Sequence, residues 1–184
     1  MACQYKDGWH TIRGYCVFVE NGQIINRSQI ATAIALRDLH CFSYDTINDR
    51  ILLQTKIYLA QEAGLLLGYR YSWCIHGLYS TDLMDVAYEI IPKGNKSIEG
   101  KRFKEPYASM IKRVNDLEFK IKRHKLEISV VHWYELVAIV AYWYKHGNKT
   151  KETIVENIKR TNPQFTEELT KAAYASYATL KGGV

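Results

Sequence analysis

The sequence predicts a mainly helical α+β fold, with a β-hairpin at its N-terminus and a helical extension at its C-terminus. Residues 47–66 repeat apolar side chains at helical spacing, and residues 129–148 are apolar nearly all round. Near the N-terminus, an Asn21-Gly22 dipeptide lies between β-forming residues. With 184 residues, of which 47% are hydrophobic, the chain is long enough for one core and short for two.

The N-terminal segment is predicted to be a β-hairpin over residues 9–26. Asn21-Gly22 is the dipeptide that best accepts the two positive φ values of a type I′ turn. We therefore separate an N-terminal extension, residues 1–26, from a single helical domain, residues 27–184. Within that domain we expect a core at 27–92, a basic loop at 93–104 and a helical extension at 105–184.

Two helices are predicted at the start of the core. The first begins at Ser28, a plausible N-cap, and continues through good helix formers. The second is the strongest helix of the chain, because its apolar residues recur at i, i+4, i+7 and i+11 and must be buried. These residues are Leu53, Ile57, Ala60 and Gly64.

The stretch YRYSWCIHGLYSTDL, residues 69–83, alternates like a strand, breaks at a glycine and then begins a helix. The alternation places Tyr69, Tyr71, Trp73 and Ile75 on one face of a strand. Burial of this face against a helical core is favoured over an aromatic binding platform. Gly77 is predicted to free the turn, and Ser80 to cap a helix with Asp82 in its first turn.

The rest of the chain is predicted to be one loop followed by four helices. Residues 92–106 are rich in Gly, Lys and Ser and are interpreted as a solvated loop. A helix then opens at Pro106 and runs to about Lys122. Segment 129–148, with Gly147 as its C-cap, is the predicted central helix. Two further helices follow, one after the cap Thr150 and one beyond Pro163.

Positive charge is concentrated in one region of the chain. The net charge is +6 and the pI is about 9.0, yet residues 93–125 alone hold eleven Lys and Arg against four acidic residues. Such a region can contact phosphates, and Phe103 and Tyr107 add planes for base stacking. The alternative is a solvated loop and helix face. The candidate nucleic-acid-binding residues are Lys93, Lys96, Lys101, Arg102, Phe103, Lys104, Lys112 and Arg113.

Catalytic and metal-binding motifs are not evident in the sequence. It contains no GxxxxGK[ST], GxGxxG, HExxH or GxSxG pattern. His76 is the best isolated candidate for acid–base chemistry, because it lies beside Tyr79, Ser80 and Thr81, but no partner carboxylate is identifiable. Cys74 and His76 could present two zinc ligands, although the other cysteines and histidines do not follow zinc-site spacing. We therefore predict no catalytic residue, no metal and no cofactor.

The cellular setting is predicted to be cytoplasmic. Cys3, Cys16, Cys41 and Cys74 show no paired spacing, which is typical of reduced thiols. The N-terminus lacks the apolar run of a signal peptide, and no stretch approaches membrane-spanning length. No membrane partner is expected.

Residues 50–83, RILLQTKIYLAQEAGLLLGYRYSWCIHGLYSTDL, resemble the hallmark of the YwgA-like family of uncharacterised bacterial and archaeal proteins. In that pattern a helix leads to a strand ending in Y-G-P-Y-S and to a helix that begins at a leucine. The residues that match the helix are Leu53, Gln54, Lys56, Tyr58, Leu59 and Gln61, and those that match the turn are Gly77, Tyr79, Ser80 and Leu83. The resemblance covers residues 46–92 well and 130–180 loosely.

This resemblance implies a winged-helix-like core and a setting among prophage, mobile-element and defence-type genes. It also implies a distant similarity to Panacea-type antitoxins and no established catalytic activity. The chain departs from the pattern at Leu78, where the turn has a proline, and at the basic loop, which stands where a wing would follow the third helix.

Two functions are predicted from the sequence. The favoured one is a non-enzymatic macromolecular binding protein of the prophage, defence or toxin–antitoxin type. It acts by protein–protein interaction with an unidentified partner, through the aromatic hairpin or the C-terminal helices. The alternative is a nucleic-acid-binding, winged-helix-like protein that uses loop 93–104 and the adjacent helix. An enzyme with a site built on His76, Tyr79 and Asp82 ranks third.

Overall fold

The structure, a computed structural model, is mainly helical, which confirms the predicted fold class at that level. It describes residues 8–12, 15–20, 23–74, 77–147 and 150–182, with side chains from Gln29 onward. The strands described are β1 (Gly8–Ile12), β2 (Tyr15–Glu20), β3 (Gln23–Asn26), β4 (Ser72–Cys74) and β5 (Gly77–Tyr79). The α-helices described are α1 (Arg27–Asp38), α2 (Ile47–Glu62), α3 (Thr81–Ile90), α4 (Tyr107–Asn115), α5 (Leu117–Arg123), α6 (Val130–His146), α7 (Lys151–Thr161) and α8 (Glu167–Leu180).

The N-terminal strands form an antiparallel sheet in the order β1-β2-β3. Glu20 pairs with Gln23 and Val19 with Ile24, so β2 and β3 form the predicted hairpin. The structure adds β1, whose Trp9 lies opposite Phe18, so that residues 9–26 contain three strands where one hairpin was expected. The predicted type I′ turn at Asn21-Gly22 lies outside the described residues.

The centre of the core is the contact between α2 and α6, and α8 also packs against α6. All residues from 53 to 60 of α2 are buried, which confirms the predicted apolar stripe and extends burial to polar neighbours. On α6, Trp133 and Tyr134 are fully buried and donate hydrogen bonds to the carbonyls of Leu117 and Val114, at 2.9 and 3.0 Å. The prediction that α6 is a central helix is confirmed.

A buried carboxylate joins three helices of this core. Glu62, at the end of α2, has a side chain only 5% exposed. It accepts hydrogen bonds from Lys145 of α6 at 2.8 Å and from the Tyr177 hydroxyl of α8 at 3.1 Å, while the Lys181 ammonium lies 3.5 Å away. Burial, followed by the charge of Glu62, raises the pKa of Tyr177, so the phenol stays a donor. The C-terminal helix is thereby tied to α2.

Several predicted helix ends are confirmed and two are wrong. Thr150 caps α7, and Gly147 follows the last residue of α6. Helix α1 begins at Arg27, so Ser28 lies inside its first turn and is not the N-cap. The single helix expected from Pro106 to about Lys122 is divided at Asp116 into α4 and α5. Residues 107–123 contain no proline or glycine that would have marked this break in advance.

The strand expected after Gly68 is much shorter than its alternating pattern suggests. Of the described residues 69–74, only Ser72–Cys74 form a strand, and Trp73 is 37% exposed, so the prediction of a buried Trp73 is wrong. Tyr69 and Tyr71 are half-buried against the core, as expected, but in irregular chain. Ile75 and His76 lie outside the described residues. None of the described helices is long and apolar enough to cross a membrane.

The helical core and the C-terminal helices meet through α2, α6 and α8. The boundaries at residue 26 and within 93–104 stay predictions. Two short 3-10 turns follow α3: Ile91–Lys93 leads into the basic loop, and Asn95–Ile98 lies within it.

Candidate functional site

A cleft of about 900 Å³ opens between the first half of α2, the β4–β5 hairpin, the middle of α6 and the link between α7 and α8. Its floor is apolar, with Ile51 from α2, Leu78 from β5 and the buried Ile139 from α6. This volume lies within the range of ordinary ligand-binding pockets, which are mostly apolar with a few polar groups.

The rim of the cleft carries large apolar side chains that remain exposed to solvent. Ile47 is 73% exposed, and Trp73, Tyr79 and Tyr88 are 37%, 38% and 48% exposed. The part of the chain whose side chains are described has seven such exposed residues, so more than half of them line this one cleft. Exposed apolar side chains that gather in one place are typical of an interaction site, whereas scattered ones are not.

Two side chains that line the cleft carry opposite charges. Arg50 is exposed, and its Nε donates a hydrogen bond to the carbonyl of Tyr44 at 2.9 Å. Glu135 is half-buried on α6, and this burial raises the pKa of its carboxyl, against the opposing effect of His132. Thr161, Asn162 and Gln164 add uncharged hydrogen-bonding groups along the far edge. The cleft is therefore apolar with close to balanced charge.

Two glutamines of α2 fix the wall of the cleft. The Gln54 carboxamide accepts from the Ser80 N–H and donates to the Ser80 carbonyl, both at 3.0 Å and both buried. Two helical turns further along α2, the Gln61 carboxamide accepts from the Tyr69 N–H at 2.8 Å and donates to the Tyr69 carbonyl at 2.9 Å. A carboxamide that exchanges two hydrogen bonds with one residue replaces a neighbouring strand. The backbone of residues 69 and 80 is thus held by side chains of helix α2.

Other residues of the α2 motif are also structural. Lys56 is buried, donates to the carbonyl of Leu39 at 2.8 Å and lies 4.6 Å above the Tyr134 ring, and this burial lowers the pKa of its ammonium. The Tyr71 hydroxyl donates to the carbonyl of Gln54 at 3.0 Å. The motif that carries the family resemblance therefore builds the support of the cleft.

The predicted turn motif, Gly77, Tyr79 and Ser80, lies at the cleft. Gly77 has φ +99, a conformation that favours glycine, which confirms the role predicted for it. Ser80 is 1% exposed, and its hydroxyl accepts from the Leu83 N–H at 3.4 Å, as expected for the N-cap of α3. Tyr79, which lies between them in the sequence, lines the cleft.

Trp73 joins the hairpin to α6. Its ring centroid lies 5.4 Å from that of Tyr142 and 5.8 Å from that of Trp143. One part of the indole packs against α6 while another part lines the cleft, which explains why the core prediction for this residue was wrong. The aromatic-platform alternative describes Trp73 better than it describes Tyr69 and Tyr71.

Replacing Glu135 with glutamine is expected to stabilise the fold slightly at neutral pH. Because its folded pKa is raised, the proton bound at Glu135 contributes stability below the unfolded value of 4.5, and this stability is lost as the pH rises through the folded value. Glutamine cannot ionise, so the variant should gain less than about 1 kcal/mol at neutral pH, since the group is partly hydrated. Thermal melts across pH should show the gain disappear on acidification. Glu127→Gln, at an exposed residue, is the control for removing one negative charge, and an equal gain in both variants would contradict the assignment.

The basic candidates of the loop are mostly in solvent. Lys93, Lys96, Arg102 and Lys104 are exposed, and none forms an ion pair with another described residue. Lys101 is half-buried. Phe103 packs against the core, 6.2 Å from the Tyr107 ring.

The loop itself is anchored, so the expectation of a wholly solvated segment is wrong. Ile98 is 1% exposed, and the Arg37 guanidinium of α1 donates to the carbonyls of Ile98 and Lys101 at 3.1 and 2.8 Å. The sequence does not reveal this anchoring, because a single buried isoleucine among charged residues forms no periodic apolar pattern.

The two candidates on α4 are engaged elsewhere. Lys112 pairs with Asp116 at 2.6 Å. The Arg113 guanidinium donates to the carbonyls of Leu180 and Ala63, at 2.9 and 3.1 Å. The structure thus gives Arg113 an internal role and removes it from the surface expected to contact phosphates.

The cleft-lining residues Ile47, Arg50, Tyr88 and Glu135 were not identified from the sequence. They come from three helices, and nothing in their spacing shows that these helices meet. Among the residues that the structure describes, no three His, Cys, Asp or Glu side chains are grouped as they would be to hold a metal ion. No family model, curated protein or solved structure matches the chain.

Proposed function

We propose that the protein is a non-enzymatic binding protein that acts by protein–protein interaction, and that the cleft receives an apolar segment of its partner. The observation that carries this proposal is the gathering of Ile47, Trp73, Tyr79 and Tyr88 around one opening. Aromatic side chains in partly formed pockets are the usual anchors of protein interfaces, because they bury large area at a low entropy cost.

The lining of the cleft defines the chemistry of this partner. An apolar floor at Ile51 and Ile139 suits one or two aromatic or branched aliphatic side chains. The single positive and single negative side chains favour a segment with little net charge. Asn162 and Gln164 can hydrogen-bond to its backbone along the far edge.

The proposal includes the family and its setting. We infer a YwgA-like protein with a winged-helix-like core that works in the cytoplasm, in a prophage, defence or toxin–antitoxin context. Support comes from three motif residues: Gln54 and Ser80 bind each other, and Gln61 binds the backbone of Tyr69, so each has a physical reason to be where the pattern has it. The packing of α1 against both α2 and α3 also supports a compact three-helix core.

The experiment is a comparison of two charge insertions in the full chain. Ile47→Glu places a carboxylate at the rim of the cleft, and Leu66→Glu places one at an 84% exposed residue outside the lining. Neither side chain is buried, so both variants should fold. Purified from the native host, the wild type and Leu66→Glu should retain a stoichiometric partner that Ile47→Glu loses at least tenfold.

The identity of the occupant is tested with displayed peptides selected on the full chain. Enriched peptides should carry aromatic or aliphatic residues with little net charge and should not bind Ile47→Glu. Binding that is equal in both variants contradicts the role of the cleft. Enrichment of no peptide, together with binding of small apolar dyes that Ile47→Glu loses, would make the cleft a small-molecule site instead.

A further inference from the structure

Helix α5 presents an apolar inner side and a basic outer side. Leu117 is buried, and its carbonyl accepts from the Trp133 indole, which fixes the helix against α6. On the outer side Phe119 is 65% exposed, and Lys122 and Arg123 are exposed in the last turn. An aromatic ring with this exposure gains little from folding.

The end of α1 holds this helix region and the basic loop next to each other. Arg37 donates to two carbonyls of the loop, at Ile98 and Lys101. The following residue, Asp38, offers its carbonyl to the Asn115 amide at the end of α4, at 2.9 Å, one residue before the turn into α5. The basic loop and the end of α4 are therefore attached to consecutive residues of α1.

The combined surface is strongly positive. Apart from the Lys112–Asp116 pair, the exposed acidic residues between 93 and 125 are Glu99, Glu105 and Glu118. The exposed basic residues of the loop and of α5 with its following turn are Lys93, Lys96, Arg102, Lys104, Lys122, Arg123 and Lys125. None of these seven forms an ion pair with another residue that the structure describes. Their charge is available to a polyanion.

We propose that the loop and α5 together form a binding surface for single-stranded nucleic acid, in which the basic side chains contact phosphates and Phe119 stacks on a base. This surface is separate from the cleft. Stacking favours a single strand, because the faces of bases are covered in a duplex, and base–aromatic stacking tolerates any sequence. Helix α5 has only seven residues, which makes it a poor reader of a major groove.

The test is fluorescence anisotropy with labelled oligothymidylate and oligouridylate of about 20 nucleotides, titrated with the full chain. Affinity should fall linearly with salt on a log–log plot. The double variant K122E/R123E should lose at least tenfold in affinity and lower the magnitude of the slope by roughly 0.7 for each phosphate contact removed. Phe119→Ala should weaken binding at least about fivefold without changing the slope, since stacking releases no counterions.

The matched control is K159E/R160E on α7, which makes the same change in net charge at two exposed residues. It should bind within about twofold of the wild type, allowing for long-range electrostatics, and so should Ile47→Glu, which alters only the cleft. Loss of binding equal to that of K122E/R123E would reduce the effect to net charge and overturn the proposal. Absence of binding at low salt, tighter binding to a duplex of the same length, or an unaltered affinity of Phe119→Ala would each overturn it as well.

Discussion

Replacing Gln54 with leucine is expected to lower the free energy of unfolding by about 2–3 kcal/mol. The Ser80 N–H, which is buried, loses its acceptor, whereas the Ser80 carbonyl keeps the helical hydrogen bond from Met84. One buried donor without a partner costs about 1–3 kcal/mol, and the lost hydrogen bonds add to that. In a chain of this length the melting temperature should fall by roughly 5–10 °C. Urea denaturation measures the free energy directly.

Gln61→Leu is the matched control, because it removes the same pair of hydrogen bonds at a less buried site. Tyr69 is only half-buried, so water can replace the carboxamide, and we expect a loss of about 1 kcal/mol. The ratio between the two variants is the informative quantity. Equal losses would mean that burial of Ser80 does not determine the cost, and a neutral Gln54→Leu would contradict the role given to this side chain. Because Gln54 also lines the cleft, Gln54→Leu should weaken partner binding more than Gln61→Leu does.

Removing the carboxylate of Glu62 is the second large effect. Glu62→Ala leaves the buried Tyr177 hydroxyl without its acceptor and separates Lys145 and Lys181 from their common anion. Loss of one partner from a buried ion pair typically costs about 3–5 kcal/mol, but both ammonium groups are close to half exposed and can be hydrated. We therefore expect about 2–3 kcal/mol. Hydrogen exchange should show the amides of α8 losing protection before those of α2 and α6.

Glu62→Gln separates hydrogen bonding from charge. A glutamine carbonyl can still accept from the Tyr177 hydroxyl. The free energy of unfolding of this variant should therefore be about 1 kcal/mol higher than that of Glu62→Ala. Glu168→Ala, at an exposed site in the first turn of α8, should change stability by less than about 0.5 kcal/mol. Uniform loss of protection throughout the chain in Glu62→Ala would contradict a specific attachment of α8.

The helices were predictable because their apolar residues repeat at helical spacing over many turns. Alternation misjudged part of residues 69–74, because only Ser72–Cys74 form a strand and Trp73 is exposed, whereas Tyr69 and Tyr71 are half-buried as expected. Gln61 binds Tyr69 at the start of this segment and Gln54 binds Ser80 beyond its end, so side chains of α2 take the place of a neighbouring strand, and Trp73 lines the cleft in part. From the sequence, a glutamine beside apolar residues is expected to face solvent. Only the structure shows that Gln54 is buried and binds the backbone of Ser80.

The candidate site was predictable in part. Gly77, Tyr79 and Ser80 were identified from the sequence as a structural turn, and Gly77 and Tyr79 line the cleft, but the cleft itself was not predicted. Tyr88 and Glu135 also line the cleft, but their positions depend on how separate helices pack, and no spacing in the sequence carries that information. The exposed Phe119 was equally hidden, since an aromatic residue in an amphipathic helix is usually buried.

The positive charge of Arg113 is placed at the ends of two helices. Its guanidinium reaches the last carbonyl of α8 and the carbonyl just beyond α2, so two helix C-termini converge on one cation. Each C-terminus carries about half a negative charge from its helix dipole, and the two together offset one guanidinium. The formal charge of +6 counts Arg113 in full, although these two helix ends offset its charge locally. The two carbonyls are bound by separate nitrogens of the planar guanidinium, an arrangement that the single nitrogen of a lysine ammonium does not offer.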